Sequence, residues 1–169
     1  MLSTQRFSGK NTSVNKYRVP AIFKRVDWTF ASKYNFDLGG GKYDTASVWL
    51  LENHGITNLI YDPFNRSPRH NIEILEKVLH EKILTVTVSN VLNILETKEQ
   101  RAETIRLAYH VLSPGGRVYF KFYTVKEAGV SKPDCFQTAM KPGEYLPEIL
   151  SVFPKCELIK GLIVATKPD

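Results

Sequence analysis

The chain has 169 residues, of which 43% are hydrophobic and 24% are charged, and its formal net charge is +6. This length suffices for one domain with a hydrophobic core, and the composition excludes a disordered protein. The lack of a long apolar run and of an apolar N-terminal stretch predicts no membrane span and no secretory signal, so the cytoplasm is the expected compartment.

The positive charge lies in the first 35 residues, which contain seven basic residues and one acidic residue, whereas the rest of the chain is neutral. Basic segments bind phosphate groups by Coulomb attraction and by release of counterions. We therefore predict a basic N-terminal arm and helix over residues 1–33, with nucleic acid or a protein as its partner. The alternative is a solvated extension that only aids solubility.

The first predicted elements are a helix and a short strand. Pro20 suits the first turn of a helix, and the apolar residues after it recur near helical spacing, which predicts a helix over residues 20–33. The stretch YNFDL, residues 34–38, is a candidate strand.

A second helix and strand follow a run of three glycines. Asp44 or Thr45 is expected to cap the helix, and Gly55 stands where the left-handed residue after a helix is usually found. The stretch TNLIYD, residues 57–62, predicts the second strand.

The middle of the chain repeats this order. Ile72, Leu75 and Leu79 have helical spacing within a helix predicted over residues 69–82. The β-branched stretch ILTVTVSN, residues 83–90, predicts a buried strand. Only one helical segment thus separates the second strand from the third.

The next helix has a clear start signal. Thr97 and Gln100 form a capping-box pattern, which predicts a helix over residues 97–112. The stretch SPGG ends this helix, and RVYFKFY, residues 117–123, predicts the next strand.

The C-terminal region begins with a long loop, residues 124–143. Loops of this length in compact domains are often functional, so we predict that it covers a substrate. A short helix is expected over residues 144–153. Two short strands with a tight turn at Lys160 and Gly161 end the chain.

Strand and helix alternate four times before this terminal hairpin. The alternation predicts an α/β fold, namely a Rossmann-like, doubly wound and mostly parallel sheet with helices on both faces and a C-terminal antiparallel hairpin. We expect one domain over residues 34–169, shortened where a third strand and its helix would stand.

The three glycines, Gly39, Gly40 and Gly41, fall on the first strand-to-helix turn, where ligands bind in such sheets. Glycine loses more backbone entropy on folding than any other residue, so a triplet indicates a sharp bend or a close approach. Asp62 ends the second strand about 20 residues later, which suits a carboxylate that binds ribose hydroxyls. The spacing therefore predicts an adenosine-containing ligand.

Two classes of ligand fit this pattern differently. A dinucleotide site needs a third glycine where this chain has Asp44. Asp37 precedes the glycines, and a carboxylate there disfavours a pyrophosphate but suits a ligand with an ammonium and a sulfonium group. We therefore consider a nicotinamide enzyme the weakest of the hypotheses.

The motif Asp37-x-Gly39-x-Gly41 resembles the first motif of class I S-adenosylmethionine-dependent methyltransferases. The acid after the second strand, the LSPGG stretch and the closing hairpin are similar as well, and the likeness covers roughly residues 34–167. Within that superfamily, the stretches YDPFN and SNVLNILETKEQR resemble methyltransferases associated with DNA phosphorothioation.

This resemblance implies S-adenosylmethionine as the cofactor and gives roles to its binding residues. Asp37 and the backbone of residues 39–41 would contact the methionine end. Asp62 would bind the ribose, and Pro63 and Phe64 would border the adenine. The residue that contacts the adenine amino group has no counterpart here, because the third-strand unit is missing.

By the same resemblance, Ser89 and Asn90 would face the transferable methyl group as the catalytic residues. Capping of the following helix is the alternative role for Asn90. The turn lacks the paired prolines of enzymes that methylate exocyclic base amines. Cys135 and Cys156 lie far from this turn and lack metal-ligand spacing, so we expect neither C5-cytosine chemistry nor a metal site.

The sequence therefore favours a methyltransferase that transfers a methyl group by in-line displacement to a small molecule or to nucleic acid. Such a reaction requires two aligned reactants and the exclusion of water, with no obligatory triad or metal. The alternative is a non-catalytic protein that binds S-adenosylmethionine, or serves as an accessory protein, on a decayed methyltransferase fold.

Overall fold

The computed structural model describes residues 5–12 and 15–169. The described chain forms one six-stranded sheet, a separate two-stranded hairpin and four α-helices. In chain order, these elements are β1 (Tyr34–Leu38), α1 (Thr45–His54), β2 (Thr57–Tyr61), α2 (Pro68–His80), β3 (Ile83–Ser89), α3 (Lys98–Val111), β4 (Arg117–Lys121), β5 (Gly129–Lys132), β6 (Cys135–Gln137), α4 (Leu146–Leu150), β7 (Lys155–Ile159) and β8 (Leu162–Thr166).

The strands of the main sheet have the order β2-β1-β3-β4-β8-β7. The first four strands are parallel, and the terminal hairpin adds β8 antiparallel to β4 and β7 antiparallel to β8. This arrangement confirms the predicted doubly wound α/β fold. Strand β2 is the edge of the described sheet and α2 alone leads to β3, so the third-strand unit is absent from this part of the chain.

The hydrophobic core has two layers, one on each face of the sheet. One cluster packs β1, β3 and β4 against α3 and α4. The other packs α1 and the segment 19–31 against the opposite face. Phe120 belongs to the first cluster and Tyr119 to the second, because neighbouring residues of a strand point to opposite faces.

The prediction of a helix over residues 20–33 is wrong. The segment forms turns and a short 3₁₀ helix, Trp28–Phe30. The Asp27 carboxylate accepts hydrogen bonds from the Thr29 backbone N–H and hydroxyl, which starts a separate tight turn. Phe23 is buried, and its carbonyl accepts a hydrogen bond from the Trp28 indole, so the apolar spacing reflects burial rather than helical periodicity.

The predicted apolar stripe of α2 is displaced by one residue. Ile72 and Leu79 are exposed, whereas Asn71 and Val78 are buried together with the half-buried Leu75. The true inner face has an asparagine at an otherwise apolar position, which hides the stripe from a search for hydrophobic periodicity.

The predicted loop over residues 124–143 contains regular structure. Strands β5 and β6 form an antiparallel hairpin, and a 3₁₀ helix, Pro142–Tyr145, leads into α4. Residues 1–4 and 13–14 of the predicted basic arm lie outside the described residues. In the described part of the chain, no helix has the length and apolarity needed to cross a bilayer.

Candidate functional site

The chain bends sharply where β1 ends. Gly39 and Gly41 have φ values of 74° and 78°, which side chains rarely tolerate. The Gly39 N–H donates a 2.8 Å hydrogen bond to the Tyr61 carbonyl. A Cβ atom on Gly39 would lie 2.4 Å from Cγ2 of Val91, so the glycine lets β1 end close against the turn after β3. We call residues 39–41 the glycine bend.

Asp37 lies beneath the glycine bend and is buried. Its carboxylate accepts hydrogen bonds from Thr87 Oγ1 at 2.7 Å and from Asn58 Nδ2 at 3.2 Å. A Cβ atom on Gly40 would come within 2.4 Å of Asp37 Oδ2, so the bend rests directly on this carboxylate. Burial raises the pKa of Asp37 to about 6, because the ionised form loses its hydration.

Asp62 fastens the glycine bend to the end of β2. Its Oδ2 accepts from the Gly41 N–H at 2.9 Å and from Asn65 Nδ2 at 3.1 Å. Its Oδ1 accepts from the backbone N–H groups of Phe64 and Asn65 at 3.0 and 2.9 Å. A carboxylate has about four acceptor positions, so all of them are occupied by this turn.

Two residues that the sequence analysis missed complete this support. Asn71 of α2 accepts from the Asp62 N–H and donates to the Asp62 carbonyl, both at 2.9 Å. Arg66 donates to the Gly41 carbonyl and to the Asp44 carboxylate, both at 2.8 Å. Asp44 precedes α1 without capping it through its side chain. The sequence signal that could have identified Asn71 was its place as a polar residue on the buried face of an amphipathic helix.

Asn90 follows β3 in a strained conformation. Its φ of 57° lies in the left-handed region, and its N–H donates 2.8 Å to the Lys121 carbonyl. The side-chain oxygen Oδ1 is buried and has no hydrogen-bond partner among the described residues. Strained backbone and unsatisfied buried polar atoms are concentrated at functional sites, because a ligand can supply the missing partner.

A cavity of about 710 Å³ opens at the carboxyl ends of β1, β2 and β3. Every predicted site residue except Asp37 lines it. These lining residues are Gly39, Gly40, Gly41, Asp62, Pro63, Phe64, Ser89 and Asn90. The fold therefore brings together in one cavity residues that follow β1, β2 and β3 and are far apart in sequence.

The side of the cavity formed by α3 was not predicted. Gln100, Thr104 and Leu107 line it on successive turns of the helix. The Gln100 side chain also accepts a hydrogen bond from the Thr97 N–H, which confirms the predicted capping box. Gln100 thus both caps the helix and forms part of the cavity wall, and the sequence pattern predicts only the capping role.

Two further segments, residues 5–12 and the hairpin 129–137, line the cavity, and we call them together the roof. The Gly9 N–H donates to the Asp134 carbonyl at 2.9 Å, and the Ser8 backbone and hydroxyl donate to the Asp134 carboxylate. The rings of Phe7 and Phe136 stack with centroids 6.0 Å apart. The described beginning of the predicted basic arm is therefore packed against the hairpin.

The hairpin is also bound to the turn after β3. Asn93 is buried and donates from Nδ2 to Gln137 Oε1 at 2.8 Å, while its carbonyl accepts from the Thr138 N–H at the same distance. Ser131, Lys132 and Gln137 line the cavity from this side. The region predicted to cover a substrate thus lies over the candidate site.

No protein-family model matches the chain, and no curated protein is similar to it in sequence. Solved structures are similar in fold. The human N-acetylserotonin methyltransferase in complex with SAM has a TM-score of 0.62 at 15% identity over 93% of this chain and 52% of that one. PigF with SAH has a TM-score of 0.61 at 16% identity, over 88% and 54%.

Streptomyces venezuelae DesVI has a TM-score of 0.59 at 15% identity, and the match covers 88% of this chain and 89% of that one. The chain spans about half the length of the first two structures. At these identities the comparisons establish the fold alone, and the chain shares that fold with these solved structures.

Proposed function

We propose that this chain is an S-adenosylmethionine-dependent methyltransferase. The observation that supports this most is the cavity of about 710 Å³ bounded by the glycine bend, Asp62 and Asn90. Its volume lies within the range of about 300–1,000 Å³ typical of small-molecule sites. Structures of similar fold include one in complex with SAM and one with SAH.

The lining residues fit the cofactor in character. The glycine bend exposes backbone without side chains, which allows the close approach of the methionine portion. Tyr61, Pro63 and Phe64 provide an apolar surface for an adenine ring at the end of β2. The Asp37 carboxylate, one layer below the bend, provides negative charge near a cationic ligand.

The glycine bend, Asp62 and Phe64 would hold the cofactor, which would supply an electrophilic methyl group on a sulfonium; the electron pair of the broken carbon–sulfur bond would stay on the sulfur. The chain has to align the acceptor and exclude water. Asn90 Oδ1 is buried and has no hydrogen-bond partner in the part of the chain that the structure describes, so it suits a methyl acceptor that presents an N–H or O–H group. In this proposal the roof limits the access of water to the cavity that it lines.

A nicotinamide dinucleotide fits this site less well. Its pyrophosphate would bind at the start of α1, where Asp44 places a carboxylate. The Arg66 guanidinium is already bound to Asp44 and to the Gly41 carbonyl, which leaves it poorly placed to offset a phosphate charge.

A non-catalytic binding or accessory protein is the second candidate, and the bonding of Asp62 favours it. Each oxygen of this carboxylate already accepts two hydrogen bonds from the turn. Ribose hydroxyls would have to replace at least one of these bonds, and the Asn65 side chain is the most replaceable donor because its backbone N–H would remain bound.

The test is isothermal titration calorimetry with S-adenosylmethionine and S-adenosylhomocysteine. We expect saturable binding that Phe64→Ala weakens about tenfold through loss of buried apolar contact. Tyr17→Ala is the matched control, because Tyr17 is an exposed aromatic residue outside the cavity. Lack of binding at millimolar ligand would contradict the methyltransferase and would favour an accessory protein that binds no cofactor.

Turnover separates the two candidates. Formation of S-adenosylhomocysteine from S-adenosylmethionine is measured with nucleosides, oligonucleotides and small amines or alcohols as acceptors. A methyltransferase forms the product with at least one acceptor class, and Asn90→Ala slows it without equal loss of cofactor binding. Cofactor binding without any turnover would favour the non-catalytic candidate.

A further inference from the structure

Three basic residues lie near one another at the sheet edge that also bears the cavity. Lys121 ends β4, Lys160 stands in the turn between β7 and β8, and Arg25 comes from the segment that packs beneath this corner. The Arg25 guanidinium donates a 3.4 Å hydrogen bond from Nη1 to the Lys160 carbonyl. We call these three residues the basic corner.

The charges of the basic corner are not neutralised within the described chain. The ion pairs among the described residues involve Asp44, Glu73, Glu148 and Glu157, and none of them includes a residue of the basic corner. Partial burial and the nearby Arg25 charge both lower the pKa of Lys121, as expected for like charges held close together. An anion bound between these cations would reduce their mutual repulsion.

The basic corner is next to a residue that lines the cavity. Tyr123, two residues after Lys121, lines the cavity, and its side chain is 57% exposed. A ligand in the cavity can thus extend past an accessible aromatic ring to the cations. Stacking of a base on an aromatic ring beside cations that bind phosphate is how proteins recognise single-stranded nucleic acids and nucleotides.

We infer that Arg25, Lys121 and Lys160 bind a phosphate group of the methyl acceptor, which is a nucleotide or a nucleic-acid strand whose base enters the cavity beside Tyr123. This inference rests on the proposed function, because it identifies the acceptor class of that site. It also locates the phosphate contact at one corner of the folded domain rather than in a freely extended basic arm.

The opposite edge of the sheet offers a matched control. Lys33 precedes β1 and Lys82 precedes β3, so both lie at the amino ends of the parallel strands, and both are exposed. A Lys33→Gln/Lys82→Gln variant and an Arg25→Gln/Lys160→Gln variant remove the same charge from the protein. Any difference in binding between the two variants therefore depends on the position of the removed charges and not on the net charge.

The experiment measures fluorescence anisotropy of a labelled single-stranded oligonucleotide of about 12 nucleotides, within the usual range of single-strand sites. We expect Arg25→Gln/Lys160→Gln to weaken binding at least about tenfold and to reduce the slope of log affinity against log salt by about 0.7 per removed cation. The Lys33→Gln/Lys82→Gln variant should stay within about twofold of the unchanged protein.

Competition identifies the source of the phosphate. Inorganic phosphate, a mononucleotide and an unlabelled oligonucleotide are added in separate titrations. A mononucleotide that competes as well as the oligonucleotide indicates a free nucleotide as the acceptor, whereas preference for the oligonucleotide indicates a strand. Either result supports the phosphate site.

Two results would overturn the inference. One is equal weakening by both double variants, which would show non-specific charge attraction. The other is no oligonucleotide or phosphate binding at low salt. Titration of S-adenosylhomocysteine into the same variants keeps this outcome separate from the proposed function, because loss of cofactor binding and loss of phosphate binding are measured independently.

Discussion

The two sides of the cavity are built in different ways. The glycine bend, Asp62 and Asn71 form one side through a dense set of buried hydrogen bonds between the ends of β1 and β2 and the start of α2. In the roof, the hairpin is held to Asn93 by a buried hydrogen bond, whereas residues 5–12 are attached to the hairpin mainly through exposed bonds to Asp134 and one aromatic stack. The first side is therefore suited to holding a ligand in fixed geometry, and the roof to admitting and covering it.

We call the side formed by the glycine bend, Asp62 and Asn71 the rigid side, and Asp62→Ala should have the largest effect on its stability. The substitution leaves the buried N–H of Gly41 and the N–H groups of Phe64 and Asn65 without their acceptor, and each such loss costs about 1–3 kcal/mol. We expect a loss of at least about 3 kcal/mol in the free energy of unfolding and no measurable S-adenosylhomocysteine binding. Urea denaturation and calorimetry measure these two quantities.

Asn65→Ala is the companion variant for Asp62. It removes only the side-chain donor and leaves the backbone N–H bonds intact. If Asp62 binds the cofactor after releasing Asn65, this variant should retain cofactor binding or improve it. A loss of cofactor binding as large as that of Asp62→Ala would contradict the idea that Asn65 is the replaceable donor.

The pH dependence of stability tests the carboxylate beneath the bend. The pKa of Asp37 is about 6 in the folded protein, whereas the ordinary value of an aspartate is 3.8. The folded state therefore binds this proton more tightly than the unfolded chain does. Asp37 therefore makes the free energy of unfolding fall as pH rises from about 4 to about 6, by on the order of 3 kcal/mol, and has no further effect above that window.

Asp37→Asn should remove this pH-dependent fall. Urea denaturation at several pH values between 4 and 7 measures it, and Asp27→Asn is the control, because Asp27 is exposed. An unchanged slope in Asp37→Asn would show that another group titrates in this window and that the glycine bend does not rest on an ionisable carboxylate with a raised pKa.

Gly39→Ala should destabilise the bend by about 2 kcal/mol or more. The alanine would have both an unfavourable positive φ and a Cβ atom 2.4 Å from Val91 Cγ2. Gly55→Ala is the matched control, because its φ is 66° and its added Cβ would meet open space. The difference in free energy of unfolding between the variants measures the close approach, and Val91→Ala should recover part of it.

The sequence predicted the rigid side because its signals are local. Gly39 and Asp62 follow strands, and the carboxyl ends of parallel strands meet at one edge of a sheet. Asn71 escaped prediction because a polar residue interrupts the apolar stripe of α2. The bond between Ser8 and Asp134 joins residues 126 positions apart, and no spacing or periodicity encodes such a contact.

A substitution in the roof should have the smallest effect on the free energy of unfolding and a larger effect on local opening. Asp134→Ala removes the exposed acceptor of Ser8, so we expect little change in the free energy of unfolding. Amide hydrogen exchange over residues 5–12 should accelerate, because local opening then requires fewer broken bonds. The exchange of Gly41, whose N–H is bound to Asp62, should not change.

Glu157→Ala serves as the control, because it removes an exposed carboxylate from the far strand β7. Equal acceleration at Gly41 and in residues 5–12 would mean that the two sides of the cavity open as one unit, and the contrast between a rigid side and a separable roof would then be wrong.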